Sequence, residues 1–211
     1  MVYILQKLIW LPFVLMVKFF LKFNVKGQKN FKKLKTNKYI IVANHLGFLD
    51  AYLVSASIPF SHFLKTSFRY MMKPKWFIIY PFVRWFGAYP VYRKQGSLEK
   101  TLESTEEYIK SGKNILIFPE GTFPRGGKRP KPKQGVVYLS KKYNLPILPV
   151  ALKGSDGVNG DGKLDFKKVF SRKYRVNIEV GEPFYYKDVA SDNMDSQKAA
   201  EKIMKRVNVM L

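Results

Sequence analysis

The sequence predicts an α/β fold: a single domain with a largely buried mixed sheet flanked by helices, joined to an N-terminal helical element. Three observations predict it. From residue 38 onward, short β-rich runs alternate with segments of helical length and periodicity. Several of those runs are apolar throughout, as strands covered on both faces are. The first 23 residues form a separate apolar, aromatic stretch with only three lysines in it.

That stretch, "MVYILQKLIWLPFVLMVKFFLKF", holds an uncharged run from Leu8 to Val17. A membrane-spanning helix needs about 20 such residues. No basic region precedes the run and no small-residue cleavage site follows it, so it does not read as a signal peptide. At about 100° per residue, Lys7, Lys18 and Lys22 fall in one helical sector. Pro12 predicts a kink or break. The expected structure is a monotopic element lying in the membrane interface, its lysines reaching headgroups. Lysines at 26, 29, 32, 33, 35 and 38 extend the basic character, which suits an anionic membrane surface. Residues 1–37 are therefore assigned to a membrane-associating segment and 38–211 to the α/β domain.

Within that domain "KYIIVAN" (38–44) predicts a strand and "FLDAYLVSASI" (48–58) a helix. Residues 76–93 predict a helix, broken by Pro81 and Gly87, and then a short strand from Ala88 to Tyr92. In 97–113, Leu98, Leu102, Thr105, Tyr108 and Ile109 share a helical face, with Ser97 as N-cap and Gly112 as terminator. "NILIFPEGT" (114–122) predicts a buried strand and a loop, "QGVVYLSKKYN" (134–144) a helix, and "PILPVALKG" (146–154) another buried strand. "KYRVNIEVG" (173–181) alternates as a strand does, and the last 16 residues predict a helix. Residues 154–166 are rich in Gly and Asp, yet Gly157 and Lys168 would occupy the first and twelfth positions of a calcium loop. They read as a glycine-rich surface loop, and no metal site is expected.

The formal net charge of +23, from 38 basic and 15 acidic residues, suits an anionic partner such as a phospholipid surface, a phosphorylated small molecule, an acidic carrier protein or nucleic acid. No nucleic-acid-binding pattern appears, and an apolar N-terminus suits that role poorly. The chain has no cysteine, which excludes a thiol nucleophile and thiolate metal sites.

Asp50 is the only acidic residue among the first 98, and it stands five positions after His45, one of two histidines. A carboxylate bonded to one imidazole nitrogen fixes the tautomer and prepares the other nitrogen as a general base. Residues five apart do not meet on a regular helix, so a tight turn is required, and Gly47 permits one. No G-x-S-x-G element exists, so the simplest nucleophile is a hydroxyl on the substrate. In "FPEGTFPRGGKRPKPKQG" (118–135) a buried strand runs into a loop with Glu120, glycines and five basic residues, among them Arg125 and Lys133. Loops at strand ends are where α/β sheets bind ligands, and this composition suits a phosphate. Arg93, directly after a short apolar strand, is a second phosphate candidate.

In this order the motifs resemble those of the glycerolipid acyltransferase family, specifically the bacterial 1-acylglycerol-3-phosphate acyltransferases. Asn44, His45 and Asp50 match its first block, Gly87 to Arg93 its second, Phe118 to Thr122 its third, and "LPILPVAL" (145–152) its fourth. "GEPF" (181–184) resembles the segment that often follows. One residue departs from the pattern: Phe123 stands where the family usually has arginine. The resemblance implies transfer of a fatty acyl group from acyl carrier protein or coenzyme A to the free hydroxyl of lysophosphatidic acid. It implies His45 as base, Asp50 as its orienting partner, and Arg93, Glu120, Gly121, Thr122, Arg125 and Lys133 around the acceptor. It implies no cofactor, and a place on the cytoplasmic face of the cell inner membrane. The same chemistry on glycerol-3-phosphate or another lysophospholipid stays open, as does, in a different class, nucleic-acid binding.

Overall fold

The computed structural model describes residues 2–93, 96–124, 129–158 and 166–211. Seven strands, β1 (Lys22–Lys26), β2 (Ile40–Ala43), β3 (Phe68–Met72), β4 (Ala88–Pro90), β5 (Asn114–Ile117), β6 (Ile147–Lys153) and β7 (Arg175–Val180), form one sheet in the order β1-β7-β6-β2-β5-β3-β4. The sheet is mixed: β6 and β7 are antiparallel and the other pairs are parallel. The helices are α1 (Val2–Phe20), α2 (Asp50–Ala56), α3 (Phe60–Lys65), α4 (Pro74–Ile79), α5 (Leu98–Lys110), α6 (Gly135–Tyr143), α7 (Phe166–Phe170) and α8 (Ser196–Asn208).

Strand alternation divides the core into two layers. Ile41 and Ala43 of β2 face a layer that includes Trp10, Val14 and Val17 of α1 and Leu53 of α2. Ile40 and Val42 face the other, formed by α5, α6 and α8 through Leu102, Val136 and Ile203. Every residue of β2 and β5 is buried, Asn114 at the start of β5 included, as their apolar character predicts. The Ser97 hydroxyl accepts from the Lys100 N–H and caps α5 as expected.

Of the kink or break expected at Pro12, the break does not occur: α1 continues through it. Its residues Trp10, Val14, Val17 and the following Leu21 are buried, while Ile4, Leu8, Leu11, Leu15 and Phe19 form an exposed apolar stripe opposite. Both faces are thus apolar, one in the core and one outside. The lysines do not share the polar sector that periodicity suggests. The Lys7 ammonium turns inward, donates to the Thr66 carbonyl and lies 3.9 Å from the centre of the Phe63 ring. Burial lowers its pKa to about 8. Lys22 is not helical at all. It opens β1, an edge strand of the main sheet, so this part of the N-terminal segment is continuous with the α/β fold. No helix among the described residues is long and apolar enough to cross a membrane.

The two central strands are clasped beyond their ladder. Asn44, fully buried, donates from its amide to the Leu152 carbonyl at 3.0 Å and accepts from the Leu152 N–H at 2.7 Å. Asn44→Ala leaves two buried backbone groups unpaired and should cost roughly 2–4 kcal/mol in urea unfolding. A loss below about 1 kcal/mol would show the clasp to be dispensable.

Candidate active site

β2 and β5 lie side by side and parallel, and the chain leaves both at the same sheet edge. His45 follows β2, and Glu120 follows β5. This is the carboxyl edge, where α/β folds gather their ligands.

After His45 the chain turns, and Asp50 opens α2. His45 Nδ1 lies 2.8 Å from Asp50 Oδ2. The same oxygen accepts from the N–H groups of Leu46 and Gly47, and Oδ1 accepts from the Ser155 hydroxyl at 2.7 Å. Every neighbour of the carboxylate is therefore a donor, which assigns the imidazole proton to Nδ1 and leaves the Nε2 lone pair free to accept. Asp50 is completely buried, whereas the His45 side chain is 18% exposed. Gly47 contributes its N–H rather than a left-handed conformation, since its φ is not positive.

The imidazole sits between two aromatic rings. Phe118 stacks on it at 4.2 Å between centroids, and Phe123 meets it edge-on at 4.4 Å. Its backbone N–H donates to Glu120 Oε2 in a long contact of 3.4 Å. Glu120 is buried, and its Oε1 has no hydrogen-bond partner among the described residues. Burial raises this carboxyl to about 7, opposed by the His45 N–H.

Beyond Glu120 the chain turns at Gly121, φ +68°, and the Lys133 N–H bonds to the Pro119 carbonyl, which brings the end of the loop back beside its start. Arg93 donates to the Gly121 carbonyl at 3.1 Å. A Cβ at Gly121 would stand 3.2 Å from Lys133 Cε and 3.3 Å from Arg93 Nη2, so the positive φ favours glycine and a side chain there would press on both cations. Burial, and then the charges of Arg93 and Lys73, lower the Lys133 pKa. His45 and Phe118 line an apolar cleft with Trp76 and Met72. A basic cleft holding Lys133, Arg129 and Glu120 adjoins it, and Lys73, Arg93, Gly121, Thr122 and Phe123 line both.

Of the residues singled out by sequence, His45, Asp50, Arg93, Glu120, Gly121, Thr122 and Lys133 come together here, and Arg125 lies outside the described residues. Arg129, one of the five basic residues of the 118–135 loop, lines the basic cleft, whereas the sequence does not point to Lys73 or Ser155. Lys73 follows a strand that the sequence does not announce. Ser155, fully buried, anchors Asp50 through its hydroxyl.

A family model described as Acyltransferase matches residues 22–153. The chain belongs to the Acyltransferase family. It is 28% identical over 148 residues to the chloroplastic 1-acyl-sn-glycerol-3-phosphate acyltransferase of Arabidopsis thaliana, covering 68% of this chain and 39% of that protein. It is 30% identical over 138 residues to the 1-acyl-sn-glycerol-3-phosphate acyltransferase of Saccharomyces cerevisiae, covering 61% of this chain and 42% of that one. The chain thus spans about two fifths of the length of these curated relatives. In structure it resembles the 1-acyl-sn-glycerophosphate acyltransferase PlsC of Thermotoga maritima, with a TM-score of 0.66 and 19% identity over 97% of this chain and 81% of that one. That likeness shows the fold, and the family match spans both β2 with its dyad and the β5 loop.

Glu120 binds its proton more tightly folded, at about 7, than at the ordinary 4.5. Its contribution to stability is therefore complete below 4.5 and is lost as pH rises through about 7. Glu120→Gln cannot titrate, so its stability should fall less than that of wild type across this window. Parallel urea midpoints for the two proteins would contradict the burial argument.

Proposed function

We propose that this protein transfers a fatty acyl group from a thioester to the free hydroxyl of lysophosphatidic acid, giving phosphatidic acid. The observation that carries the reading is a His–Asp pair opening into an apolar cleft whose far end is basic. The relatives named above, both called 1-acyl-sn-glycerol-3-phosphate acyltransferases, support the choice of acceptor.

The chemistry follows from the tautomer. Nε2 of His45 takes the acceptor's hydroxyl proton as that oxygen attacks the thioester carbonyl. The imidazolium that forms lies against the buried Asp50 carboxylate, which stabilises it. When the tetrahedral intermediate collapses, the C–S bond breaks and Nε2 returns the proton to the departing sulfur. No acyl-enzyme is required. Arg93 and Lys133, with Lys73 and Arg129 nearby, receive the acceptor phosphate. Burial lowers the Lys133 pKa first and repulsion from Arg93 and Lys73 adds to it; a bound anion relieves that repulsion. Thr122 lines the passage between the two clefts, and Glu120 underlies it.

The exposed stripe of α1 gives the site its membrane. Isolated surface leucines need no explanation, but five large apolar residues on one helical face do. In this reading α1 lies in the interface of an anionic bilayer, on the cytoplasmic face of the inner membrane, as the anchoring part of residues 1–37. The donor is an acyl carrier protein or coenzyme A thioester, both anionic and both attracted by a +23 chain.

An assay of purified protein with lysophosphatidate and each donor in mixed micelles tests reaction, acceptor and donor together. His45→Ala should lower turnover at least 1,000-fold, roughly the reach of a general base, without loss of fold. Turnover near wild type would reject the base. Arg93→Ala should raise the acceptor KM about tenfold while leaving the donor KM in place. Equal changes in both would remove Arg93 from the phosphate site.

A further inference from the structure

A base placed to deprotonate a lipid alcohol is equally placed to deprotonate water. Attack by water breaks the same C–S bond, and the products are a free fatty acid and a thiol. The proton passes from water to Nε2 and then to the sulfur, as in transfer. Nothing in the His45–Asp50 pair distinguishes the two nucleophiles, so selectivity has to come from what reaches Nε2.

We propose that Phe123 keeps this site a transferase by shielding the His45 imidazole from water until the acceptor is in place. The proposal rests on the acyl-transfer reading above. Three observations carry it. The Phe123 ring meets the imidazole edge-on at 4.4 Å, on a ring whose face is already covered by Phe118. With these two rings in place the His45 side chain is 18% exposed, although it opens into a cleft. And Phe123 lines both the apolar and the basic cleft, directly after the Gly121-Thr122 turn on which Arg93 and Lys133 converge. It stands on the path between the phosphate site and the base.

Phe123 sets apolar bulk and no charge against the imidazole. The phosphate is not left without a cation, because Arg93 and Lys133 already lie over the Gly121 backbone. Excluding bulk water from a site also strengthens the His45–Asp50 interaction inside it.

The test uses the full chain with an acyl thioester, with and without lysophosphatidate in mixed micelles. Thiol release and phosphatidate formation are measured together. Wild type should release little thiol without acceptor and form nearly one phosphatidate per thiol with it. Phe123→Ala should raise acceptor-independent thiol release about tenfold and lower the phosphatidate yield per thiol. Phe123→Leu, which keeps an apolar bulk, should stay near wild type. The yield per thiol is a ratio, so partial loss of folded protein does not disguise it. An unchanged yield in Phe123→Ala, or hydrolysis by Phe123→Leu equal to that of alanine, overturns the proposal. A wild type that forms no phosphatidate overturns the acyl-transfer reading itself, and this proposal with it.

Discussion

The site depends on one buried anion. Asp50 has no exposed surface, and a carboxylate in that position is tolerated only when its oxygens are saturated with donors. The donors come from places far apart in sequence: the turn after β2, the His45 ring, and Ser155 beyond β6. Satisfying Asp50 therefore draws together the ends of two adjacent strands. Asn44 secures the same junction one residue earlier through its two bonds to Leu152. The Gly154 turn makes room for this, since a Cβ there would stand 2.2 Å from the Arg175 carbonyl. The imidazole orientation is thus a property of the sheet edge rather than of a loose side chain.

Around that fixed point the molecule separates its solvents. Aromatic and apolar side chains surround the imidazole, and cations gather past Gly121. A substrate with an apolar tail, a hydroxyl and a phosphate matches this order along the groove. α1 repeats the separation on a larger scale, with one face packed into the core and the opposite face apolar and outside. The chain's charge has the same polarity of arrangement: a single acid precedes residue 99, and that acid is Asp50.

The central strands were legible in sequence because β2, β5 and β6 are covered on both sides and so are written as mainly apolar runs, polar only at Asn114 and Lys153 on their ends. α5 and α8 were legible because each buries only one face. β3 was not, because Arg69 interrupts its apolar pattern. The structure buries that arginine by bonding it to the Phe68 carbonyl and laying it over the Tyr108 ring, a tertiary solution that sequence periodicity does not encode. β1 alternates, but three of its five residues are Lys or Asn and it reads as part of a basic tether. The same logic divides the site. His45 and Asp50 were legible because acids are so rare around them. Lys73 was one lysine among many and became significant only when β3 carried it to the cleft. Ser155 gained its role from a strand pairing that brings it to Asp50 across 105 residues.

The central claim is that Asp50 holds the His45 imidazole with its proton on Nδ1 and its Nε2 lone pair turned to the cleft. Nitrogen-15 NMR of histidine-labelled protein, with the His45 signals assigned by a His45→Gln variant, reads that tautomer directly. The account predicts a neutral ring protonated at Nδ1, and loss of that preference in Asp50→Asn. A ring protonated at Nε2, or a tautomer indifferent to Asp50, would contradict it.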